Sequence, residues 1–242
     1  MHTNYLSQGT SDFCPVLTEM LQTRRAVGMT GRVYEGLPAL STINNLHVIH
    51  ELMRETRALR TLEIGLSFGG SALVFCACHR ELGHPPAAQH TALDPFQTTV
   101  WDSCGLMAVD RAGLAGYMDF HQAYSALELP RLIEGGARFG LVYVDGSHLF
   151  EDVFVDAYFV TRLLTKEGVV AFDDSSNPHI AKVIRFLRTS TQGLEELDLS
   201  HYREMRDRFS YRLARYFRKV QLTAFRRVGN VDRAWDAPFH SF

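Results

Sequence analysis

The chain has 242 residues, 46% of them hydrophobic and 21% charged, enough apolar material for one large α/β domain or two small ones. Its formal net charge of −2 supplies no global field for nucleic acid or an anionic membrane. Residues 1–20 lack a basic start followed by an apolar core, and the apolar run Ala72–Cys78 is too short to span a bilayer, so a soluble, cytoplasmic protein is expected.

In chain order, residues 1–15 are polar, and helical patterns follow over 16–25 and 42–57. Between them the glycine-rich stretch VGMTGRVYEGLPALS reads as a loop, one that could close as a lid over a site. From residue 60 strands and helices alternate. RTLEIG, HTALDP, YMDFHQ, FGLVYVDG and GVVAFDD read as strands. Helices are expected over 70–81, 103–115, 126–135, 150–165 and 178–189. The 150–165 helix lines up Phe150, Val153, Phe154, Ala157, Val160 and Leu164 on one face. Further on, LEELDL and VQLTAFRRV read as strands flanking a helix over SHYREMRDRFSYRLARYFRK. There are four cysteines, Cys14, Cys76, Cys78 and Cys104, and Cys76 and Cys78, inside an apolar helix pattern, read as buried apolar residues of a reducing compartment. The Cys-x-Cys pair points its thiols to different helix faces, which suits neither a disulfide nor a zinc site.

Repeated βα units with short apolar strands imply an α/β fold. The expectation is a Rossmann-like, doubly wound, seven-stranded sheet, mostly parallel with an antiparallel edge strand and helices on both faces. Residues 1–59 would form N-terminal helices and a lid, and 60–242 the core of one compact domain.

Four predicted strands end in acids: Glu63, Asp94, Asp145, and the pair Asp173–Asp174. Acids are poor strand formers and costly to bury, and ligands of open α/β sheets bind at the carboxyl ends of the strands. Between Glu63 and Asp94 lies Gly65-Leu-Ser-Phe-Gly69-Gly70, which is not a G-x-G-x-x-G phosphate loop. A carboxylate at its mouth repels phosphate and welcomes an amine, which favours S-adenosylmethionine over a dinucleotide. Asp94 can accept both ribose hydroxyls. In VYVDGSH and VAFDDSS, Asp145, Asp173 and Asp174 end two strands that, as neighbours, would bring three carboxylates together. A hard divalent cation such as Mg²⁺ or Mn²⁺ relieves their repulsion and acidifies a bound hydroxyl. The alternative is that Asp145 and Asp174 cap the following helices. His148, three residues past Asp145, is a candidate base. His179 is the weaker candidate, being in the first turn of a helix.

Glu63-Ile-Gly65 with Gly69 and Ser71, then ALDP, VDGSH and VVAFDD, resemble class I S-adenosylmethionine-dependent methyltransferases over about residues 36–190. More narrowly they resemble bacterial small-molecule O-methyltransferases of the macrocin/novobiocin kind, and more distantly catechol O-methyltransferase. The resemblance implies methyl transfer to a hydroxyl of a natural product, sugar or phenol. It implies that Glu63, Gly65 and Ser71 line the methionine end of the cofactor, that Ser67 and Gly69 also bind the cofactor, that Asp94 holds the ribose, and that Tyr124 and Ser125 meet the adenine. Asp145 serves both cofactor and metal, with Asp173 and Asp174 as further metal ligands. His148 stands where the catechol enzymes carry a catalytic lysine, and Asp174 where they carry asparagine.

Between Arg203 and Lys219 seven basic residues interleave with aromatics. A solvated helix face that packs on a second subunit, giving a homodimer, is favoured over a nucleic-acid surface because the chain is slightly acidic. Two alternatives stand beside the main reading. One is a metal-independent methyltransferase with His148 alone as base. The other is a non-catalytic protein that binds S-adenosylmethionine or nucleic acid.

Overall fold

Sheet order is the feature that defines the architecture. In this computed structural model, residues 13–202, 213, 216, 220–238 and 241–242 are described. The central strands are β3 (Thr61–Ile64), β4 (His90–Leu93), β5 (Met118–His121), β6 (Phe139–Val144), β7 (Leu164–Phe172), β8 (Leu194–Glu196) and β9 (Thr223–Arg227), in the order β5-β4-β3-β6-β7-β9-β8. Counted from β3, the first five follow the doubly wound order 3-2-1-4-5. β9 runs antiparallel to β7 and to the short outer strand β8. The seven-stranded, mostly parallel Rossmann-like sheet is thus present, with the two C-terminal strands at one edge.

The chain divides into two compact units, residues 1–124 and 125–242. In the first, α1 (Pro15–Thr23), β1 (Arg25–Val27), β2 (Val33–Glu35), α2 (Ile43–Thr56), α3 (Gly70–Glu81) and α4 (Cys104–Arg111) accompany β3, β4 and β5. The Thr42 hydroxyl caps α2 by accepting the Asn45 N–H at 3.2 Å, and Leu46, Ile49 and Met53 bury one face. α3 is buried from Gly70 to His79, so its sequence is apolar on all sides rather than amphipathic. β3 and β4 are buried at every residue, which explains their continuous rather than alternating pattern. Their polar members Thr61, Glu63, His90 and Thr91 are buried as well and must find partners inside.

The second unit holds α5 (Ser125–Glu134), β6, α6 (Phe150–Leu163), β7, α7 (Pro178–Ser190), β8 and β9. Asn177 caps α7 by accepting the His179 N–H at 3.0 Å, with Pro178 at the first helical position. β7 starts at Leu164, directly after α6, with a shift in its pairing between Phe139 and Leu141 of β6.

One expectation needs correcting. The glycine-rich stretch after α1 is not all loop, because β1 and β2 pair antiparallel with Ala26 opposite Tyr34. Three-residue strands are too short to show alternation. This hairpin is anchored to the loop before α4: the Met29 N–H donates to the Asp102 carbonyl at 2.7 Å, and the Thr30 hydroxyl donates to the Asp102 carboxylate at 2.6 Å. All four cysteines are buried free thiols. Among the described residues no helix is long and apolar enough to cross a membrane. The basic helix expected near the C-terminus lies largely outside the described residues.

Candidate active site

In the first unit, the turn after β3 is held by the acid at the end of β4. Asp94 is buried. Its Oδ2 accepts the Leu66 and Ser67 N–H groups at 3.2 and 2.8 Å and the Gln97 side-chain amide at 3.1 Å, while its Oδ1 accepts the Phe96 N–H at 2.7 Å. Four donors on one carboxylate fix the loop's backbone. Gln97 also donates to the Ser67 carbonyl at 2.7 Å. Gly65, Ser67 and Gly69 all have positive φ. At Gly69, with φ +83°, a Cβ would stand 2.9 Å from the Gly105 backbone, so both conformation and space require glycine.

Glu63 is completely buried. Its Oε2 accepts the Ser71 hydroxyl at 2.5 Å, and its Oε1 lies 3.1 Å from His90 Nε2. Of the residues expected around a cofactor, Gly65, Ser67 and Gly69 form the turn between β3 and α3, Asp94 after β4 accepts the Ser67 N–H, and Glu63 of β3 accepts the Ser71 hydroxyl of α3. Tyr124 is exposed, with its ring edge-to-face on Phe96 at 5.8 Å.

In the second unit, Ser125 begins α5, and its side chain hydrogen-bonds Asp156 of α6. Asp156 is buried, and that burial pushes its carboxyl up to about 7.

The second unit also brings together the acids after β6 and β7. One ligand atom each from Asp145, His148 and Asp174 lie within 4.8 Å of one another. His148 Nε2 is 2.8 Å from Asp174 Oδ2. Asp174 is a non-glycine residue at φ +47°, a conformation with a steric cost that collects at functional sites. Its other oxygen accepts the Gln221 side-chain amide. Asp173 faces a different way: it is buried, accepts the Tyr143 hydroxyl, and accepts the Asp174 N–H at 2.7 Å. A shallow recess lined by Val144, Asp145, Ser147, His148, Val153, Phe172, Asp173 and Ile180 opens here.

The helix-capping alternative fails for both acids. The N-cap of α7 is Asn177, and the N-cap of α6 is Leu149 with no side-chain cap bond. His179, the weaker candidate, accepts the Phe150 N–H on its Nδ1 at 3.1 Å.

Sequence reasoning missed Gln97, Gly105, His90, Tyr143 and Gln221. Tyr143 had a signal, since it precedes Asp145 by two residues and shares its side of the strand. Gln221 had none, because only folding brings it to Asp174.

Residues 62–175 match the family described as "Methyltransferase domain". The sheet order is that of the Rossmann-like methyltransferase fold. Solved structures agree on the fold. The O-methyltransferase TomG from Streptomyces achromogenes, involved in tomaymycin synthesis and in complex with S-adenosylmethionine, is 20% identical (TM-score 0.57, covering 66% of this chain and 74% of that one). The Bacillus cereus O-methyltransferase in complex with S-adenosylhomocysteine is 16% identical (TM-score 0.59, covering 80% and 87%). The S-adenosylhomocysteine-bound methyltransferase PaMTH1 of Podospora anserina is 16% identical (TM-score 0.61, covering 88% and 87%). No curated protein matches the chain.

Proposed function

We propose that the protein is an S-adenosylmethionine-dependent O-methyltransferase acting on a hydroxyl of a small molecule. The observation that carries this reading is the Asp145–His148–Asp174 cluster inside a methyltransferase domain. S-adenosylmethionine supplies an electrophilic methyl group on its sulfonium. The phosphate-free turn of Glu63, Gly65, Ser67, Gly69 and Ser71 suits its amino-acid end, Asp94 its ribose, and Tyr124 with Ser125 its adenine. The neighbours whose structures hold this cofactor or its product support that choice.

The carboxylates of Asp145 and Asp174 fit a divalent cation such as Mg²⁺ or Mn²⁺, with the His148 imidazole beside them. Bound there, it would polarise the acceptor hydroxyl. Asp173 lies next to this set in the chain and would complete it by turning from Tyr143, or would support Asp174 through the N–H it accepts. The residues themselves have two tasks. Asp145 and Asp174 gather positive charge where the acceptor oxygen becomes negative. His148 removes the hydroxyl proton. Most of the rate enhancement would come from positioning and charge neutralisation.

The 2.8 Å His148–Asp174 contact favours a second, metal-free version. Asp174 would hold the proton on Nε2, leaving Nδ1 as the base, in the way a carboxylate orients a catalytic histidine. Methyl transfer from S-adenosylmethionine to a panel of sugars and phenols, run with Mg²⁺, with Mn²⁺ and with chelator, tests the reading. Loss of transfer in chelator with rescue by metal supports the cation. Full activity in chelator selects the metal-free dyad. A protein that binds no S-adenosylhomocysteine in calorimetry sinks both.

A further inference from the structure

In the first unit, α2 and α3 bring three unlike donors together. One ligand atom each from His50 of α2 and from Cys78 and Glu81 of α3 lie within 4.8 Å of one another. Cys78 and Glu81 are three residues apart and share one face of α3, and His50 meets that face from the other helix. Cys78 is a buried free thiol, His50 is half-buried, and Glu81 stands at the exposed end of α3. Cys76 takes no part. Its charged neighbour is Glu63, whereas those of Cys78 are Glu81, Glu51 and Arg54.

The contacts of the imidazole orient it as a ligand. His50 Nδ1–H donates to Glu51 Oε1 at 3.0 Å, since a carboxylate only accepts. In the neutral ring that leaves a lone pair on Nε2. Nε2 lies 3.6 Å from Glu81 Oε2. That is too long for a hydrogen bond, but close to the N···O edge of a tetrahedron built on metal bonds of roughly 2.0–2.1 Å. A carboxylate on the far nitrogen is the usual second partner of a metal-bound histidine. The Phe13 ring packs edge-to-face with the His50 ring at 4.9 Å and helps to hold its rotamer.

We infer that His50, Cys78 and Glu81 form a Zn²⁺ site that fastens α3 to α2, with Glu51 positioning the imidazole. Zn²⁺ accepts nitrogen, sulfur and carboxylate oxygen in one tetrahedron, whereas Mg²⁺ and Ca²⁺ select oxygen. On binding, the Cys78 thiol gives its proton to solvent and a Zn–S bond forms. Zn–N and Zn–O bonds form to His50 and Glu81, and water takes the fourth position. The thiolate and the Glu81 carboxylate balance the two charges of the ion. Without an ion, burial and the Glu81 and Glu51 carboxylates raise the thiol above its ordinary value. A bound dication reverses that balance. α3 starts at the Gly69–Gly70 end of the turn after β3, so the ion would pin the far end of the helix that this turn leads into.

Co²⁺, which takes the tetrahedral geometry of zinc and is coloured, tests the site in the reduced full chain. Titration of Co²⁺ should produce a thiolate-to-metal charge-transfer band in the near ultraviolet, and Zn²⁺, the tighter-binding ion, should abolish it. The band should be lost in Cys78→Ala and kept in Cys76→Ala. Glu81→Gln, on a side chain 49% exposed, leaves folding intact. It should weaken Co²⁺ binding at least about ten-fold, and Glu51→Ala about 10–100-fold, the scale for losing the partner of a bound histidine. Ions held by Asp145, His148 and Asp174, or by the neighbouring group of His47, His50 and Glu51, have no sulfur ligand and give no such band. No charge-transfer band in the unaltered protein, a band that survives Cys78→Ala, or unchanged affinity in Glu81→Gln would overturn the site.

Discussion

Asp94 and Asp174 both end strands of the same sheet, yet their surroundings differ. Asp94 is buried and accepts four N–H groups, three from backbone and one from Gln97. Asp174 has a side chain 33% exposed, strained backbone, and His148 as its near neighbour. The first carboxylate spends its acceptor capacity on the shape of a loop. The second keeps charge at a recess and has an uncommon backbone conformation. An acid at a strand end can therefore serve architecture or chemistry, and its partners distinguish the two.

The largest effect expected is at the chemical pole. His148→Ala should lower kcat by about 10²–10⁴-fold, the range for a positioned acid–base group. Affinity for S-adenosylhomocysteine should stay the same. A variant that keeps kcat and loses only in KM would reduce His148 to an orienting group.

Asp174→Asn comes next. It removes the charge but not the shape, and should lower kcat by roughly 10²–10³-fold, the scale of losing one electrostatic stabiliser. Melting temperature should change little, because asparagine keeps the shape of this half-buried side chain. A large loss of stability with preserved kcat would place Asp174 with Asp94.

Asp94→Ala should show the opposite signature. The Leu66, Ser67 and Phe96 N–H groups lose their acceptor, costing about 1–3 kcal/mol. Thermal melts should register the loss directly, and calorimetry should show weaker S-adenosylhomocysteine binding. Unchanged affinity in a protein that still folds would remove Asp94 from the cofactor site.

The smallest effect concerns Asp156. Its folded pKa of about 7 lies above its ordinary value of 3.8. In the folded state it therefore holds its proton where the unfolded chain has released it. Stability attributable to this group falls as pH rises from about 4 to about 7 and stays low above that. Asp156→Asn imitates the protonated form, so it should stabilise the protein at pH 8 by about 1–2 kcal/mol and leave stability at pH 4 nearly unchanged. Melting curves at the two pH values measure this, and equal shifts at both would contradict it.

Much of this was legible in the sequence because periodicity and chain position are local. Runs such as TLEI and FGLVYV are apolar enough to be strands buried on both faces, and the acids that follow them stand at the ligand-bearing end by topology alone. The loop around Gly65 and Gly69 declared itself through residues that only a tight turn tolerates. The short hairpin of β1 and β2 was hidden because three residues cannot display a period. The identity of each acid's partner was not local at all. Asp173 and Tyr143 are thirty residues apart, and Asp174 and Gln221 forty-seven. No pattern along the chain distinguishes His90, which faces Glu63, from the other ten histidines.

By itself, the sequence determined the elements of the central sheet, the sheet class and the position of every acid at a strand end, since these follow from backbone preference and side-chain burial over a few residues. Tertiary structure alone decided which acids are satisfied and which are left for chemistry. It seated Asp94 on the N–H groups of a loop from another strand and turned Asp173 to Tyr143. It set His148 beside Asp174. Hydrogen bonds act over about 3 Å whatever the separation in sequence, so the charge that remains at a site is known only when the chain is folded.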